Sequence, residues 1–124
     1  MTIRELYQRI EGNYESAARI VPMERLIERL ILLYAQDESC KKLLEARAAG
    51  DEKGIFEASH AMKGVCGNLG LDALAAEASR ITEAFRPGEA RTMDEAQLAE
   101  SFARIEALQE KTLAGIAAYQ AEKG

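Results

Sequence analysis

The chain has 124 residues, with 16 basic and 21 acidic side chains and a formal net charge of −5 at pH 7. This length suits one domain, and the sequence has no glycine-rich phosphate-binding loop of the P-loop or dinucleotide type. The basic side chains are scattered, so the composition argues against a nucleic-acid or anionic-lipid partner.

Helical periodicity runs through nearly the whole chain, and strand-like alternation is absent. A short first helix is predicted over residues 2–11, and Gly12-Asn13 ends it. Residues 14–21 are predicted to be a connector with a single helical turn. The second helix is predicted to have Pro22 in its first turn. Its predicted apolar stripe consists of Met23, Leu26, Ile27, Leu30, Leu33 and Tyr34.

The third and fourth helices have recognisable ends. Asp37 can cap the third helix, and Gly50 is placed to end it. Asp51 can cap the fourth helix, and Gly70 is placed to end that one. The third helix is predicted to bury Cys40, Leu43 and Leu44. The fourth is predicted to bury Ile55, Ser59, Met62, Cys66 and Leu69, with Ala58 and Val65 widening the stripe.

The last two helices are separated by a polar connection over residues 89–93. Pro87-Gly88 stops the fifth helix, and Asp94 with Gln97 resembles a capping box for the last one. The last helix is predicted to reach about Ala121. The inward-facing residues of the fifth helix are Leu74, Ala78, Ile81 and Phe85. Those of the last helix are Leu98, Phe102, Ile105, Thr112, Ile116 and Tyr119.

Short connections between amphipathic helices favour antiparallel packing of neighbours. The predicted fold is therefore all-α, an up-down antiparallel four-helix bundle with an additional short N-terminal helix. Residues 1–21 are predicted to form an N-terminal helical cap and residues 22–124 the bundle, within a single domain overall. Because one chain can close this bundle, we expect a monomer.

The sequence also sets expectations about location and metals. The apolar run over residues 30–35 is far below the roughly 20 residues of a membrane span, and Glu5 and Arg9 do not fit a signal peptide. We therefore expect a cytoplasmic protein that does not enter the membrane. Cys40 and Cys66, the two cysteines of the chain, do not make a zinc site, so no metal is expected. Both are interpreted as small core or half-buried side chains; a redox-sensitive thiol is the alternative.

The single histidine, His60, is predicted to face solvent, because the apolar stripe of its helix lies near the opposite side. Gly64 and Gly67 fall within about 40° of His60, and Lys63 lies about 60° away. A glycine inside a helix costs about 1 kcal/mol relative to alanine. Two of them beside one imidazole indicate a need for access. The alternative is that they permit close approach of a neighbouring helix.

Phe56 and Glu57 flank the same face. Phe56 lies about 40° from His60 and one turn before it, and Glu57 lies about 60° to the other side. An aromatic side chain beside a reactive group is interpreted here as part of a docking patch for a partner, together with Glu57. The alternative is an ordinary surface aromatic side chain.

The segment from His60 to Gly70 resembles the signature of histidine-containing phosphotransfer (HPt) domains. That signature has a histidine, a lysine or arginine at +3, and glycines at +4 and +10, on the second helix of a four-helix bundle. His60, Lys63, Gly64 and Gly70 match it. The resemblance implies that His60 is the phosphoacceptor and that Lys63 helps to neutralise the phosphoryl oxygens. It also implies that Gly64 leaves room for an incoming aspartyl phosphate and that Gly70 ends the helix.

The resemblance further implies a place in a phosphorelay. The chain would accept a phosphoryl group from a receiver-domain aspartate and pass it to another receiver. Its expected partners are response-regulator receiver domains and a hybrid or sensor histidine kinase. No cofactor is expected on this chain, because the receiver would bring the Mg²⁺ and most of the catalytic groups.

A phosphocarrier without autonomous kinase activity is therefore the predicted class. Two alternatives stay open at this point. One is a binding module or scaffold that has the HPt fold and is never phosphorylated. The other is an unrelated helical adaptor in which His60 is merely exposed.

Overall fold

Side-chain caps and one glycine cap set some of the helix ends in this protein. The structure is a computed structural model that describes residues 1–123, which form seven α-helices and one 3-10 helix. The elements are α1 (Ile3–Arg9), α2 (Tyr14–Ile20), α3 (Glu24–Leu33), the 3-10 helix (Tyr34–Gln36), α4 (Ser39–Ala49), α5 (Glu52–Asn68), α6 (Asp72–Ala84) and α7 (Glu95–Lys123).

Two predicted caps are confirmed by hydrogen bonds. The backbone N–H of Asp94 donates to Oε1 of Gln97 over 2.9 Å, and the N–H of Gln97 donates to Oδ1 of Asp94 over 2.8 Å. This capping box precedes α7. At the start of α5, the carboxylate of Asp51 accepts a hydrogen bond from the N–H of Gly54. The caps fix where the two helices begin.

The helices α4, α5, α6 and α7 form the predicted four-helix bundle. α5 packs most extensively against its neighbours in the chain, α4 and α6, and α6 packs in turn against α7. The connections between α4, α5 and α6 are short, so these helices run antiparallel. The all-α fold class is confirmed. α5, which carries His60, is the second helix of the bundle.

Both cysteines lie in the core of the bundle. Burial raises the pKa of Cys66 to about 12 and that of Cys40 to about 11, so neither is a reactive thiolate near neutral pH. The thiol of Cys66 donates to the hydroxyl of Tyr34 at 3.6 Å, and that hydroxyl donates to Oε1 of Gln109 at 2.6 Å. Tyr34 therefore links α5 to α7 through the interior.

Residues 1–21 pack against the end of α5. The hydroxyl of Tyr7 donates to the carbonyl of Leu69 over 2.7 Å, and the N–H of Asn13 donates to the carbonyl of Gly70 over 2.7 Å. Gly70 has a φ of +72°, and a Cβ there would lie 2.3 Å from the carbonyl oxygen of Asn13. Glycine at this position thus allows both the turn after α5 and the close approach of the N-terminal segment. The segment adds Ile3, Leu6, Tyr7, Ile10 and Ala17 to the core.

The sequence-based prediction for residues 14–24 is wrong in two details. Residues 14–20 form the helix α2 rather than a connector with one turn. The reason is that the side chain of Asn13 accepts a hydrogen bond from the N–H of Ser16 and caps the helix. Pro22 precedes α3 instead of lying in its first turn, because α3 begins at Glu24.

The start of α4 also differs slightly from the prediction. Glu38 occupies the cap position and makes no side-chain capping bond. Asp37, the predicted cap, lies one position before Glu38. Its carboxylate accepts a hydrogen bond from the N–H of Ser39, the first residue of α4. Of the side chains predicted to be buried in this helix, Leu44 is half-buried.

The predicted buried stripe of α3 is partly wrong. Met23, Leu26 and Leu33 are exposed by 61%, 38% and 51%, and Leu30 is half-buried. Ile27 and Tyr34 are buried as predicted, and Ile31, which is not part of the predicted stripe, also faces the core. The apolar surface of this helix is wider than the core can cover, and periodicity does not say which part of a wide stripe faces inward.

A buried carboxylate ties α6 to α7. Oε1 of Glu77 accepts a hydrogen bond from Nε of Arg104 at 2.7 Å, and Oε2 accepts one from the hydroxyl of Ser101 at 2.9 Å. Burial acts to raise the pKa of Glu77, but the hydrogen bonds from Arg104 and Ser101 outweigh it and hold the pKa below its ordinary value.

This lowered pKa predicts an acid-sensitive contribution to stability. Ionised Glu77 stabilises the fold above its unfolded pKa, and the contribution is lost as the pH falls below the ordinary value of 4.5 and through the lower folded pKa. We expect Glu77→Gln to lower the free energy of unfolding by about 1–3 kcal/mol at neutral pH and to flatten its fall in acid. Urea unfolding at neutral and acidic pH measures both effects. The control is Glu110→Gln, which changes an exposed carboxylate of α7, and equal behaviour of the two variants would contradict the assignment.

Candidate functional site

α5 turns one face to the core and the opposite face to solvent. Its buried residues are Ile55, Ser59, Met62 and Cys66, and His60 is exposed, as the periodicity predicts. The hydroxyl of Ser59 accepts a hydrogen bond from the hydroxyl of Thr82 at 2.9 Å. Because Thr82 belongs to α6, this buried bond joins the core-facing sides of α5 and α6.

The imidazole of His60 stacks against the ring of Phe56. The two ring centroids are 6.0 Å apart and the ring planes differ by 8°. Phe56 is half-buried and packs on the core, so it offers a fixed surface to the exposed imidazole. Helical side chains lean toward the helix N-terminus, and this contact keeps the imidazole on the Phe56 side, away from Gly64.

The two glycines beside His60 leave open space. A Cβ placed on Gly64 or on Gly67 would meet no atom within 4 Å. Gly115 shows the contrast, because a Cβ there would lie 2.4 Å from a methyl carbon of Ile10. Close packing of a neighbouring helix within residues 1–123 therefore does not explain Gly64 and Gly67, and the open space is compatible with the prediction that they keep the imidazole accessible.

Lys63 is half-buried on α5 and lies near a carboxylate of α6. Arg86 donates two hydrogen bonds to Glu83, at 2.8 and 2.6 Å. These bonds lower the pKa of Glu83, and the positive charge of Lys63 lowers it further. Glu83 is thus close enough to Lys63 for the two charges to interact, a neighbour that the sequence alone does not indicate.

A groove between α4 and α5 borders this face. It has a volume of about 850 Å³, and Glu57 and Ala61 of α5 line it together with Lys42 and Glu45 of α4. The two residues predicted to dock a partner therefore have different surroundings. Phe56 contacts the imidazole of His60, whereas Glu57 faces the groove. The sequence alone does not identify the residues of α4 that line this groove, because no motif marks them.

Comparison with known protein families supports the resemblance. The family model described as Hpt domain matches residues 23–117. The chain belongs to the Hpt domain family. The match includes all of α5, and residues 1–22 lie outside it. Neither the comparison with curated proteins nor the comparison with solved structures found a match.

Hpt domains are phosphocarrier modules of phosphorelays, and they interact with receiver domains and kinases. In this Hpt domain His60, Lys63 and Gly64 follow one another along the exposed side of α5, while Gly70 lies in the turn after it. The family motif is therefore divided between an exposed face and a buried turn.

Two further searches concern metals and membranes. Within residues 1–123 of this Hpt domain, no group of three or more histidine, cysteine, aspartate or glutamate side chains could hold a metal ion. In the same part of the chain, no helix is long and apolar enough to cross a membrane.

Proposed function

We propose that this Hpt domain is a phosphorelay intermediate that carries a phosphoryl group on His60. It accepts the group from the phosphorylated aspartate of one receiver domain and passes it to the aspartate of another. The observation that carries the proposal is an exposed imidazole next to two glycines whose missing side chains leave empty space.

The transfer requires little chemistry from this chain. A ring nitrogen of neutral His60 attacks the phosphorus of the aspartyl phosphate. The new N–P bond forms as the P–O bond to the aspartate breaks, and the aspartate leaves as a carboxylate. The same exchange in reverse delivers the phosphoryl group to the next receiver. Because the imidazole nitrogen has a lone pair, no general base is needed.

Lys63 supplies positive charge on the face where the phosphoryl oxygens gather. Negative charge in such a transfer is spread over the three equatorial oxygens, and an ammonium group is a compact counter-charge for them. We expect the partner receiver to hold the Mg²⁺ and this chain to need no cofactor of its own. The chain thus acts as substrate and carrier, without kinase activity.

The direct test is transfer from a phosphorylated receiver domain in the presence of Mg²⁺. The phosphoryl label on this chain is expected to be lost in acid and kept in alkali, as for a phosphohistidine, and to move on when a second receiver is added. A folded chain that takes no label from several receivers would contradict the proposal and favour a binding module that is never phosphorylated.

The open space at Gly64 predicts opposite effects of one substitution on stability and on transfer. Gly64→Ala meets no neighbour, so we expect it to stabilise the protein by about 1 kcal/mol. We also expect transfer from a receiver to slow by about tenfold or more, because the methyl group lies where the partner must approach. Thermal unfolding and transfer kinetics measure the two effects.

Labelling by phosphoramidate, a small phosphodonor, serves as the control for Gly64→Ala. This donor needs less room than a receiver domain, so its reaction with His60 is expected to stay close to the wild-type rate. Gly67→Ala, which also meets no neighbour, tests whether the partner extends one turn further. A Gly64→Ala variant that is more stable and transfers normally would show that the space is not used.

A further inference from the structure

Lys63 lies on the side of α5 that faces α6. Around the helix it is about 60° from His60 and about 40° from Ser59, one turn after the serine. The hydroxyl of Ser59 accepts the buried hydrogen bond from Thr82 of α6. Lys63 itself is half-buried, whereas His60 is exposed. Lys63 therefore lies between the imidazole and the neighbouring helix.

Glu83 is the carboxylate of α6 that approaches this side of α5. It follows Thr82 in the chain, and its side chain is exposed. Helical side chains lean toward the N-terminus of their own helix, and α5 and α6 run in opposite directions. Lys63 therefore leans toward the level of Thr82, and Glu83 leans toward the level of Lys63. The two opposite charges approach each other from the two helices.

Arg86 orients the carboxylate of Glu83. Its Nε donates to Oε2 of Glu83 at 2.8 Å, and its Nη2 donates to Oε1 at 2.6 Å. A guanidinium that binds both oxygens in this way fixes the plane of the carboxylate. These hydrogen bonds lower the pKa of Glu83 most, and the positive charge of Lys63 lowers it as well. Glu83 is thus an ionised group held between two cations.

Lys63 is balanced by Glu83 without being bound by it. Among residues 1–123, Lys63 takes part in none of the salt bridges. Its ammonium group therefore stays available to an anion on the His60 side. A phosphoryl group carries roughly two negative charges near pH 7. On His60, Lys63 would attract that group, while Glu83 would compete for the same ammonium.

We propose that Glu83 is a positioning residue that limits the hold of Lys63 on a phosphoryl group at His60, and that Arg86 orients Glu83 for this role. The proposal rests on the proposed function and deepens it, since a carrier must release the group as well as accept it. Glu83 acts through Lys63 and forms no bond to phosphorus. The exchange of the P–O bond for the N–P bond is therefore unchanged, and only its equilibrium shifts.

The test measures the equilibrium constant for transfer from a receiver domain to this chain in Mg²⁺. Rapid quenching gives the forward rate from the phosphorylated receiver and the reverse rate from His60 labelled by phosphoramidate, and their ratio is the constant. Glu83→Gln leaves Lys63 and Arg86 without their counter-charge and should raise the constant about two- to fivefold toward the phosphohistidine. Arg86→Gln leaves Glu83 free to bind Lys63 and should lower it by a similar factor.

These two substitutions form a matched pair. Both remove the same two hydrogen bonds between Arg86 and Glu83, so a merely structural role would not move the constant in opposite directions. Glu83→Asp keeps the charge and should remain closer to the wild type than Glu83→Gln. Glu100→Gln removes a carboxylate that is paired with Arg104 of the same helix, α7, at 2.8 Å, and it should leave the constant unchanged.

The effect of Glu83 should depend on Lys63. In a Lys63→Gln background, Glu83→Gln should shift the constant by a clearly smaller factor, as expected for two interacting residues. An equal shift in both backgrounds would overturn the proposal, because Glu83 would then not act through Lys63. Shifts of the same sign in Glu83→Gln and Arg86→Gln, or no shift in either, would overturn it too.

Failure of this role is distinguishable from failure of the proposed function. If the wild type exchanges phosphoryl groups with receivers and the constant does not respond to Glu83, only the role of Glu83 is lost. If the folded wild type takes no phosphoryl group from any receiver, the proposed function fails, and the role of Glu83 fails with it.

Discussion

Replacing His60 with glutamine is expected to abolish the acid-labile phosphoryl label on this chain. Glutamine is similar in size and polar, but its amide nitrogen has no lone pair able to attack phosphorus. The fold should not change, because His60 is exposed and contacts the ring of Phe56 on the surface of α5. Transfer from a phosphorylated receiver in Mg²⁺, followed by acid and alkali treatment of the product, measures the effect.

Lys53→Gln is the matched control, since it changes another exposed side chain of the same helix, outside the predicted docking patch. We expect it to accept the label as the wild type does. Circular dichroism and thermal unfolding should give the same helix content for both variants. Equal labelling of His60→Gln and the wild type would show that a different residue is the acceptor.

Replacing Gly70 with alanine is expected to cause the largest loss of stability among single methyl additions. A residue with a side chain is strained at a φ of +72°. In addition, the new Cβ would lie 2.3 Å from the carbonyl oxygen of Asn13 and 3.0 Å from the amide nitrogen of Ala17. Backbone cannot move aside as a flexible side chain can. We expect the free energy of unfolding to fall by about 3–4 kcal/mol in denaturant titrations.

Gly50 offers a control that separates the two costs. Its φ is +67°, and a Cβ there would meet nothing within 4 Å. Gly50→Ala should therefore show the cost of the left-handed backbone alone, about 1–2 kcal/mol. The difference between the two variants reports the close approach of residues 13–17 to the end of α5. Equal losses of unfolding free energy in the two variants would mean that residues 13–17 move away from the added methyl group without a loss of stability.

The sequence predicts the bundle well because its signals are local. Asp51, Gly50 and the pair Asp94 and Gln97 act within one turn of themselves, and the structure has all of them at helix ends. The outward direction of His60 is equally local, since it depends only on the helical period. These features need no knowledge of which helix packs against which.

The rest depends on contacts between distant parts of the chain. The sequence shows that both Leu33 and Ile27 of α3 are apolar. Packing of α3 against α2 and α7 decides which of these two side chains is buried. The proximity of Lys63 to Glu83 depends on how α6 packs against α5, and the buried hydrogen bond from Thr82 to Ser59 is one of the contacts between these two helices. No spacing within one helix contains this information.

The docking of the N-terminal segment has a consequence for the order of folding. Helices α4, α5, α6 and α7 pack largely with their neighbours in the chain, and such contacts form early because the loops that they close are short. The bond between Tyr7 and Leu69 spans 62 residues, and the ion pair between Glu11 and Lys111 spans 100.

Residues 1–21 should therefore attach after the transition state, to a bundle that is already formed. Interactions absent from the transition state govern the unfolding rate and leave the folding rate nearly unchanged. When the folding and unfolding rates are plotted against denaturant concentration, substitutions in residues 1–21 should change the unfolding limb alone. The N-terminal segment thus sets how long the exposed face of α5 that carries His60 persists once the bundle has folded.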